Sequence, residues 1–223
     1  MAKLNYLEAR QAVVDMGHQL IAKNLVAGSW GNISVQVGEG LYAITPSGRG
    51  YGHQQPQDIV LIDQQVQRVE GALTPSSESR LHTAIYAAYP DARAIIHTHS
   101  IYASALAAMH REVPAIIEDL VMIIGGRVAC ADYALPGTEE LAVNAVKALQ
   151  GRRAALLANH GAVCWGRSLE DALMVAEILE KTAKIAIICQ SCGGAVELSD
   201  EDIAIMHGFY EAHYAKRQSG EEK

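Results

Sequence analysis

The stretch from Arg93 to Ser100, RAIIHTHS, constrains the fold most, because it ends an apolar run with two histidines two residues apart. In an extended strand, residues i and i+2 point to the same side, so His97 and His99 can reach one metal ion together. Two ordinary histidines at a strand end would give the same letters. Two further candidate ligands, Glu78 in TPSSES and His160 in LLANHGA, favour the metal interpretation. Three neutral imidazoles and a carboxylate suit Zn²⁺.

Length and charge limit the classes of protein that the chain can belong to. With 223 residues, half of them hydrophobic, it can bury a substantial core, and we expect one domain over residues 1–214 with a disordered polar tail at 215–223. The net charge is −7, and no run of Lys or Arg is long enough to follow a phosphate backbone. We therefore expect no nucleic-acid partner.

The first residues and the cysteines indicate the compartment. MAKLNYLEARQ lacks the apolar core of a signal peptide, and no later stretch is long enough to span a membrane. The four cysteines are expected to be free thiols. These features predict a cytoplasmic protein with no membrane partner.

The order of elements predicts the fold class. A first helix and several hairpin-like strands precede alternating strands and helices, and helices come last. This order favours an α/β protein, a three-layer α/β/α domain with a largely antiparallel central sheet. Residues 154–158, an apolar run, are expected to form a central strand, and Gly161 allows a sharp turn after it. Three later helices are expected to begin at hydroxyl residues, namely Thr138, Ser168 and Ser199. Thr74 is predicted to cap a helix with Pro75 at its first position, which places Ser76, Ser77 and Glu78 in the first turn.

Three turns rich in glycine and hydroxyl residues can bind an anion. GSWGNISV brings Gly31 and Asn32 before a strand, and TPSGRG offers Ser47 and Gly48. A simple approach to a hairpin explains the first turn equally well. The predicted helix at residue 74 would add its positive dipole end and free amides, which suit a phosphate.

Two acids lie in the otherwise apolar stretch PAIIEDLVMIIGG. Glu118 and Asp119 are not easily explained as part of a core, because burial of unpaired charge is costly. They are therefore candidates for chemistry.

Five motifs, GNISV, ITPSG, SSES, the HTH strand and NHG, resemble in order and spacing the class II aldolase/adducin family, most closely its L-fuculose-1-phosphate aldolase branch. The resemblance implies one Zn²⁺ per chain, with Glu78, His97, His99 and His160 as ligands. It implies that Gly31, Asn32, Ser47, Gly48, Ser76 and Ser77 bind phosphate. It also implies a homotetramer whose neighbouring chain lends a catalytic group to each site.

The sequence departs from the fuculose-phosphate enzymes at that lent group. Those enzymes use a tyrosine, whereas the matching stretch here carries Glu118 and Asp119, and a glutamate has this role in rhamnulose-phosphate aldolases and methylthioribulose-phosphate dehydratases. A C-terminal tyrosine also contributes in the fuculose enzymes. Tyr210 and Tyr214 lie near that position, about one residue out of register, and Tyr214 is our catalytic candidate.

The expected activity is cleavage of a ketose 1-phosphate, L-fuculose 1-phosphate or a related 5-deoxypentulose or methylthioribulose 1-phosphate, to dihydroxyacetone phosphate and an aldehyde. Glu78 would move a proton at C3, and Glu118 would act at the C4 oxygen. Three alternatives remain at this point: a methylthioribulose-1-phosphate dehydratase, a pentulose-5-phosphate 4-epimerase and, least favoured, a metal-free adducin-like interaction domain. The epimerases usually carry Asp at the position of Glu78.

Overall fold

The structure is a computed structural model that describes residues 6–214. Its eight-stranded sheet has the order β4-β3-β2-β1-β5-β8-β7-β6. The strands are β1 Asn32–Gly38, β2 Leu41–Ile44, β3 Val60–Asp63, β4 Arg68–Glu70, β5 Ala94–Thr98, β6 Cys130–Ala131, β7 Ala154–Leu157 and β8 Gly161–Gly166. The helices are α1 Tyr6–Ala22, α2 Ser79–Ala88, α3 Ile101–Ala108, α4 Glu118–Ile124, α5 Glu139–Leu149, α6 Leu169–Ser191 and α7 Asp200–Phe209, followed by a π-helical turn, Tyr210–Tyr214.

The sheet separates two hydrophobic cores, because successive strand residues point to opposite faces. Along β5, Ala94 and Ile96 lie in the core that contains residues of α1, α3, α4 and α6. Ile95 between them lies in the core that contains residues of α2 and α5. Adjacent strands pair antiparallel except β6 with β7. The predicted three-layer α/β/α class with a largely antiparallel sheet is therefore confirmed.

Three helices begin at hydroxyl residues, as the sequence predicts. The side chains of Thr138, Ser168 and Ser199 each accept a hydrogen bond from a backbone amide three residues later. Each bond satisfies one of the amides that a helix leaves unpaired at its start.

The predicted start of α2 is wrong. The helix begins at Ser79, with Glu78 as its N-cap residue, rather than after Thr74. The Ser47 amide donates to the Thr74 carbonyl at 2.9 Å, and the Ser76 amide donates to the Thr45 carbonyl at 3.0 Å. This pairing keeps residues 74–76 extended, so tertiary hydrogen bonds override the local helix-start signal.

The predicted centre of the sheet also needs correction. β7 is fully buried, but it lies next to the edge strand β6. The strand that pairs with β5 near the middle of the sheet is β8. Its apolar run is short and lies between two glycines, Gly161 and Gly166, so the sequence does not predict a strand there. The sharp turn expected at Gly161 is therefore the beginning of a strand.

The strand ends that carry the candidate site residues lie together at one end of the sheet. The start of β1 pairs with the end of β5, and the end of β5 pairs with the start of β8. A Cβ at Gly31 would lie 2.5 Å from the His97 carbonyl oxygen, and one at Gly161 would lie 2.2 Å from that of Thr98. Only glycine permits these two close approaches.

Across the described residues, no helix has the length and apolarity needed to cross a membrane. The tail predicted at 215–223 lies outside the described residues, and the single domain predicted over 1–214 stays a prediction.

Candidate metal centre and active site

The three histidines singled out from the sequence converge at this end of the sheet. The ligand nitrogens of His97, His99 and His160 all lie within 4.8 Å of one another. His97 is the last residue but one of the buried strand β5, His99 follows two residues later, and His160 occupies the turn between β7 and β8. The paired strands therefore bring together residues about 60 positions apart.

Glu78 completes the cluster from the N-terminal end of α2. One carboxylate oxygen, Oε2, lies 3.1 Å from His97 Nε2, and the other, Oε1, lies 3.3 Å from His160 Nε2. The late start of α2 matters here, because it leaves the Glu78 side chain free of any capping hydrogen bond and directed at the histidines.

Backbone contacts hold the ligand-bearing segments in place. His97 Nδ1 donates to the Ala162 carbonyl oxygen at 2.9 Å, which leaves Nε2 facing the cluster. After His99, the first amides of α3, those of Tyr102 and Ala103, donate at 2.9 Å each to the carboxylate of Glu180 on α6. The strand end is thus fixed to both a neighbouring strand and a neighbouring helix.

The electrostatic environment keeps the ligands in the forms that a metal requires. Burial and repulsion between the rings lower the pKa of His99 to about 3 and that of His160 to about 4. Burial by itself raises the pKa of Glu78, but attraction to His97 and His160 and a hydrogen bond from Asn32 lower it below the ordinary value. Neutral imidazoles and an ionised carboxylate are the ligating species.

These residues fit a zinc ion. In addition to the convergence, Glu78 Oε1 and His160 Nδ1 are buried atoms with no hydrogen-bond partner among the described residues. Buried polar atoms without partners are uncommon and call for a ligand. Three histidines and one carboxylate form a donor set that Zn²⁺ accepts.

The cluster borders an open cavity of about 650 Å³. Gly31, Asn32, Ser47, Gly48, Ser76 and Ser77, the six residues that the resemblance assigns to phosphate, all line it, as do Glu78, His99 and His160. The structure therefore places the two predicted sets side by side in one cavity.

Within this set the side chains differ in what they already bind. Ser77 is exposed to the cavity, whereas Ser76 is buried and its Oγ accepts a hydrogen bond from the Glu78 amide at 3.2 Å. The Asn32 amide nitrogen donates to Glu78 Oε2 at 2.8 Å. Asn32 therefore lines the cavity and is also hydrogen-bonded to Glu78, a candidate metal ligand.

Sequence reasoning missed the apolar rim of the cavity, which is formed by Trp30, Tyr133 and Pro136. The side chain of Trp30 is two-thirds exposed, and its ring centroid lies 5.7 Å from that of His99. A tryptophan within the glycine-rich turn was the available signal, since a large exposed aromatic side chain in a loop is typical of binding surfaces. Tyr133 and Pro136 lie in the segment between β6 and α5, whose sequence alone carries no comparable signal.

Glu118 and Asp119 are not core residues, which agrees with the expectation from the sequence. They occupy the first turn of α4, where acids are favoured by the helix dipole. Glu118 is exposed, and Asp119 forms an ion pair with Lys181. The residues that line the cavity of the same chain, as far as the structure describes them, do not include either acid.

The C-terminal tyrosines lie on the same corner of the molecule as α4. Helix α7 packs against α4, where His207 Nδ1 donates to the Met122 carbonyl oxygen at 2.9 Å. Tyr210 is buried, with the Arg153 guanidinium 5.8 Å from its ring centroid. The side chain of Tyr214 lies outside the described residues, so its predicted role stays a prediction.

Comparisons with known proteins identify the same family that the sequence motifs resemble. Residues 11–187 match the family described as "Class II Aldolase and Adducin N-terminal domain". The chain is 37% identical over 195 residues to a 5-deoxy-D-ribulose 1-phosphate aldolase from Bacillus thuringiensis serovar kurstaki, covering 87% of this chain and 91% of the relative. It is 39% identical over 175 residues to a 5-methylthioribulose-1-phosphate/5-deoxyribulose-1-phosphate aldolase from Rhodospirillum rubrum, covering 78% of each.

The fold agrees with a solved structure of similar size. An L-fuculose 1-phosphate aldolase superposes with a TM-score of 0.88 at 39% sequence identity, covering 91% of this chain and 96% of that one. The structural likeness extends beyond the segment that carries the motifs to nearly the whole chain.

Proposed function

The chain belongs to the class II aldolase and adducin family, and from this premise we propose that it is a zinc-dependent aldolase that cleaves a ketose 1-phosphate to dihydroxyacetone phosphate and an aldehyde. One observation carries the proposal. A carboxylate and three imidazoles converge at the wall of a cavity that is also lined by turns rich in glycine and hydroxyl residues. The first set suits a divalent metal, and the second suits a phosphate.

The reaction needs a proton removed from the C4 hydroxyl and a proton delivered to C3. When the C3–C4 bond breaks, C4 becomes the aldehyde carbon, and the bonding electron pair remains on C3, stabilised by the adjacent C2 carbonyl. A zinc ion held by Glu78, His97, His99 and His160 would supply Lewis-acid stabilisation of that negative charge. With that stabilisation, the reaction would need no Schiff-base lysine.

Glu78 is the residue that we assign to proton transfer at C3. It is buried beside the histidines, yet it also borders the cavity. The hydrogen bond from Asn32 holds Oε2, while Oε1 has no hydrogen-bond partner among the described residues. A carboxylate held through one oxygen and open at the other is suited to general acid–base transfer.

Among the described residues that line the cavity, Glu78 is the carboxylate, so a second carboxylate for the C4 oxygen has to come from outside this lining. We assign this role to Glu118 of a neighbouring chain in a homotetramer, with Tyr214 as an additional C-terminal group. The exposure of Glu118 supports this assignment, since an exposed side chain is available to a second subunit. We expect this assembly to act in the cytoplasm.

The rim of the cavity bears on the identity of the aldehyde. Trp30, Tyr133 and Pro136 present apolar surface next to the candidate metal ligands. Such a surface favours a substrate that ends in an apolar group, as L-fuculose, 5-deoxypentulose and methylthioribulose 1-phosphates all do. The two relatives compared above with 5-deoxyribulose phosphate in their names support this choice.

A dehydratase acting on methylthioribulose 1-phosphate is the second candidate, because an acid rather than a tyrosine stands at the start of α4. It would remove water from the substrate and leave the carbon chain intact.

The test is to incubate the purified, zinc-loaded full chain with L-fuculose, 5-deoxyribulose and methylthioribulose 1-phosphates and with a pentulose 5-phosphate. Dihydroxyacetone phosphate is measured by coupled oxidation of NADH, and His160→Ala is the matched control. We expect dihydroxyacetone phosphate from at least one ketose 1-phosphate in the wild type alone. Loss of water without cleavage would establish the dehydratase, and inversion of the pentulose phosphate would establish an epimerase.

A further inference from the structure

A line of four buried side chains leads away from Glu78 into the protein. Asn32 contacts Glu78, His82 Nε2 lies next to Asn32 Oδ1, Ser34 Oγ lies 2.6 Å from His82 Nδ1, and the hydroxyls of Ser34 and Tyr86 are 2.9 Å apart. Each of the four is at most 7% exposed. β1 contributes Asn32 and Ser34, and α2 contributes His82 and Tyr86.

The carboxylate of Glu78 fixes the direction of these hydrogen bonds. The Glu78 carboxylate can only accept, so the Asn32 amide nitrogen faces it and the amide oxygen faces His82. That oxygen needs a donor, so His82 carries its proton on Nε2. His82 Nδ1 then accepts from the Ser34 hydroxyl, which in turn accepts from the Tyr86 hydroxyl.

The surroundings of His82 agree with this neutral tautomer. The ring is 1% exposed, and burial lowers the pKa of His82 to about 3. A protonated ring would need an acceptor at Nδ1, where Ser34 could serve only by turning its hydroxyl towards Tyr86. The neutral form satisfies every group in the line.

We propose that His82 is a positioning residue for the aldolase reaction: by donating to Asn32 Oδ1, it holds the Asn32 amide nitrogen on Glu78 and so fixes the carboxylate. Without that donor, the Asn32 amide can rotate and present its oxygen to Glu78, which would repel the carboxylate. The inference rests on the proposed function, because Glu78 is taken both as metal ligand and as the group that transfers the proton at C3. His82 itself touches neither substrate nor metal.

A packing role and a positioning role predict opposite rankings of two substitutions. If His82 only fills space, His82→Leu should be tolerated better than His82→Gln, since Leu is apolar and Gln places a second amide in a buried site. If His82 acts as a donor, His82→Gln should be the better variant, because the Gln amide nitrogen can reach the position of Nε2.

The experiment measures kcat, KM and zinc affinity, the last by competition with a chelating dye, on both full-length variants. For His82→Leu we expect kcat and zinc affinity each to fall by about 10- to 100-fold with KM nearly unchanged, as is typical when a residue that orients a metal ligand is lost. His82→Gln should recover most of both values. Equal kcat and zinc affinity in His82→Leu and wild type, or no recovery in His82→Gln, would overturn the proposal.

Two further variants keep the test decisive if His82→Leu does not fold. Ser34→Ala removes only the hydroxyl that holds the ring, and kcat should fall by about 2- to 10-fold, the value of one hydrogen bond. An unchanged kcat in Ser34→Ala would contradict the proposed series of hydrogen bonds from Tyr86 to Glu78. In the background of Asn32→Ala, adding Ser34→Ala should change nothing, because Ser34 and His82 act through Asn32, and additive losses would contradict that route.

Zinc affinity also separates this proposal from the proposed function. If the wild type cleaves no ketose phosphate, the function fails, whereas the ranking of the variants in zinc affinity still reports on His82. If the wild type is active and the ranking is reversed, only the positioning role fails.

Discussion

The candidate metal centre and the corner formed by α4 and α7 carry the two halves of the proposed chemistry, and they are built in opposite ways. The ligands around Glu78 lie at the ends of paired strands, where backbone hydrogen bonds and burial fix them within one chain. Glu118 and the C-terminal turn lie on helices at the surface, where Glu118 is exposed.

The difference separates what every reaction of this kind needs from what distinguishes substrates. Stabilising a negative charge next to a carbonyl requires a fixed ligand geometry, which the interior of a sheet supplies. Choosing and protonating the aldehyde requires groups that differ between enzymes, and a surface shared between subunits can change without disturbing the sheet. The following predictions test this division.

The largest effect is expected at the metal centre. His97→Ala removes a fully buried ligand, so the zinc content should fall from about one ion per chain to near zero. Losing Lewis-acid stabilisation of several kcal/mol should lower kcat/KM by about 10³-fold or more. Metal analysis and the coupled assay check both, and full activity in a zinc-free variant would contradict the centre.

The next effect concerns the acid on α4. Glu118→Gln keeps the shape and removes the titrating group, so kcat should fall by about 10²-fold while zinc content stays unchanged. Asp119→Asn is the control, because Asp119 is engaged with Lys181. If Asp119→Asn is the damaging change instead, the two roles are exchanged, and if neither matters, a C-terminal tyrosine must act at C4.

Mixed oligomers test whether Glu118 acts in the site of a neighbouring chain. Subunits of His97→Ala and Glu118→Gln, dissociated and reassembled together, should recover activity that neither has alone. A site that takes its ligands from one variant and Glu118 from the other would be complete. Failure to recover activity in confirmed mixed oligomers would place both groups in the same chain.

A smaller effect is expected at the turns rich in glycine and hydroxyl residues that line the cavity and are proposed to bind phosphate. Ser77→Ala should raise KM for the phosphorylated substrate by about 10-fold with little change in kcat, since one hydrogen bond to a charged group is lost. Zinc content should not change. Ser191→Ala, an exposed serine on α6, is the matched control and should leave both constants unaltered.

The last prediction concerns stability rather than activity and comes from His82. Its pKa is lowered from 6.5 to about 3 in the folded chain, so the unfolded chain binds more protons below pH 6.5. The free energy of unfolding should therefore decrease as the pH falls from 6.5 towards 3, by about 2 kcal/mol at pH 5 from this group. In His82→Gln, the urea midpoint should depend less on pH between 7.5 and 5.0, and an unchanged dependence would contradict the buried neutral ring.

The sequence alone determined the parts of this protein that follow from local periodicity. The two-residue spacing at the end of β5 put His97 and His99 on one side. The hydroxyl residues before α5, α6 and α7 marked the starts of these helices, and the order of elements predicted the three layers. The family motifs then brought Glu78 and His160 to the same site. The strand spacing and the helix starts are local features, because residues two to four apart in a chain decide them.

Only the tertiary structure decided the parts that depend on contacts between distant segments. Pairing of residues 74–76 with residues 45–47 delayed the start of α2 and turned Glu78 towards the histidines. The spacing of four residues between Glu78 and His82 was visible in the sequence, but nothing local shows that Asn32 lies between them. Hydrogen-bond partners far apart in sequence meet only when the sheet forms, so their roles could not be predicted from the chain alone.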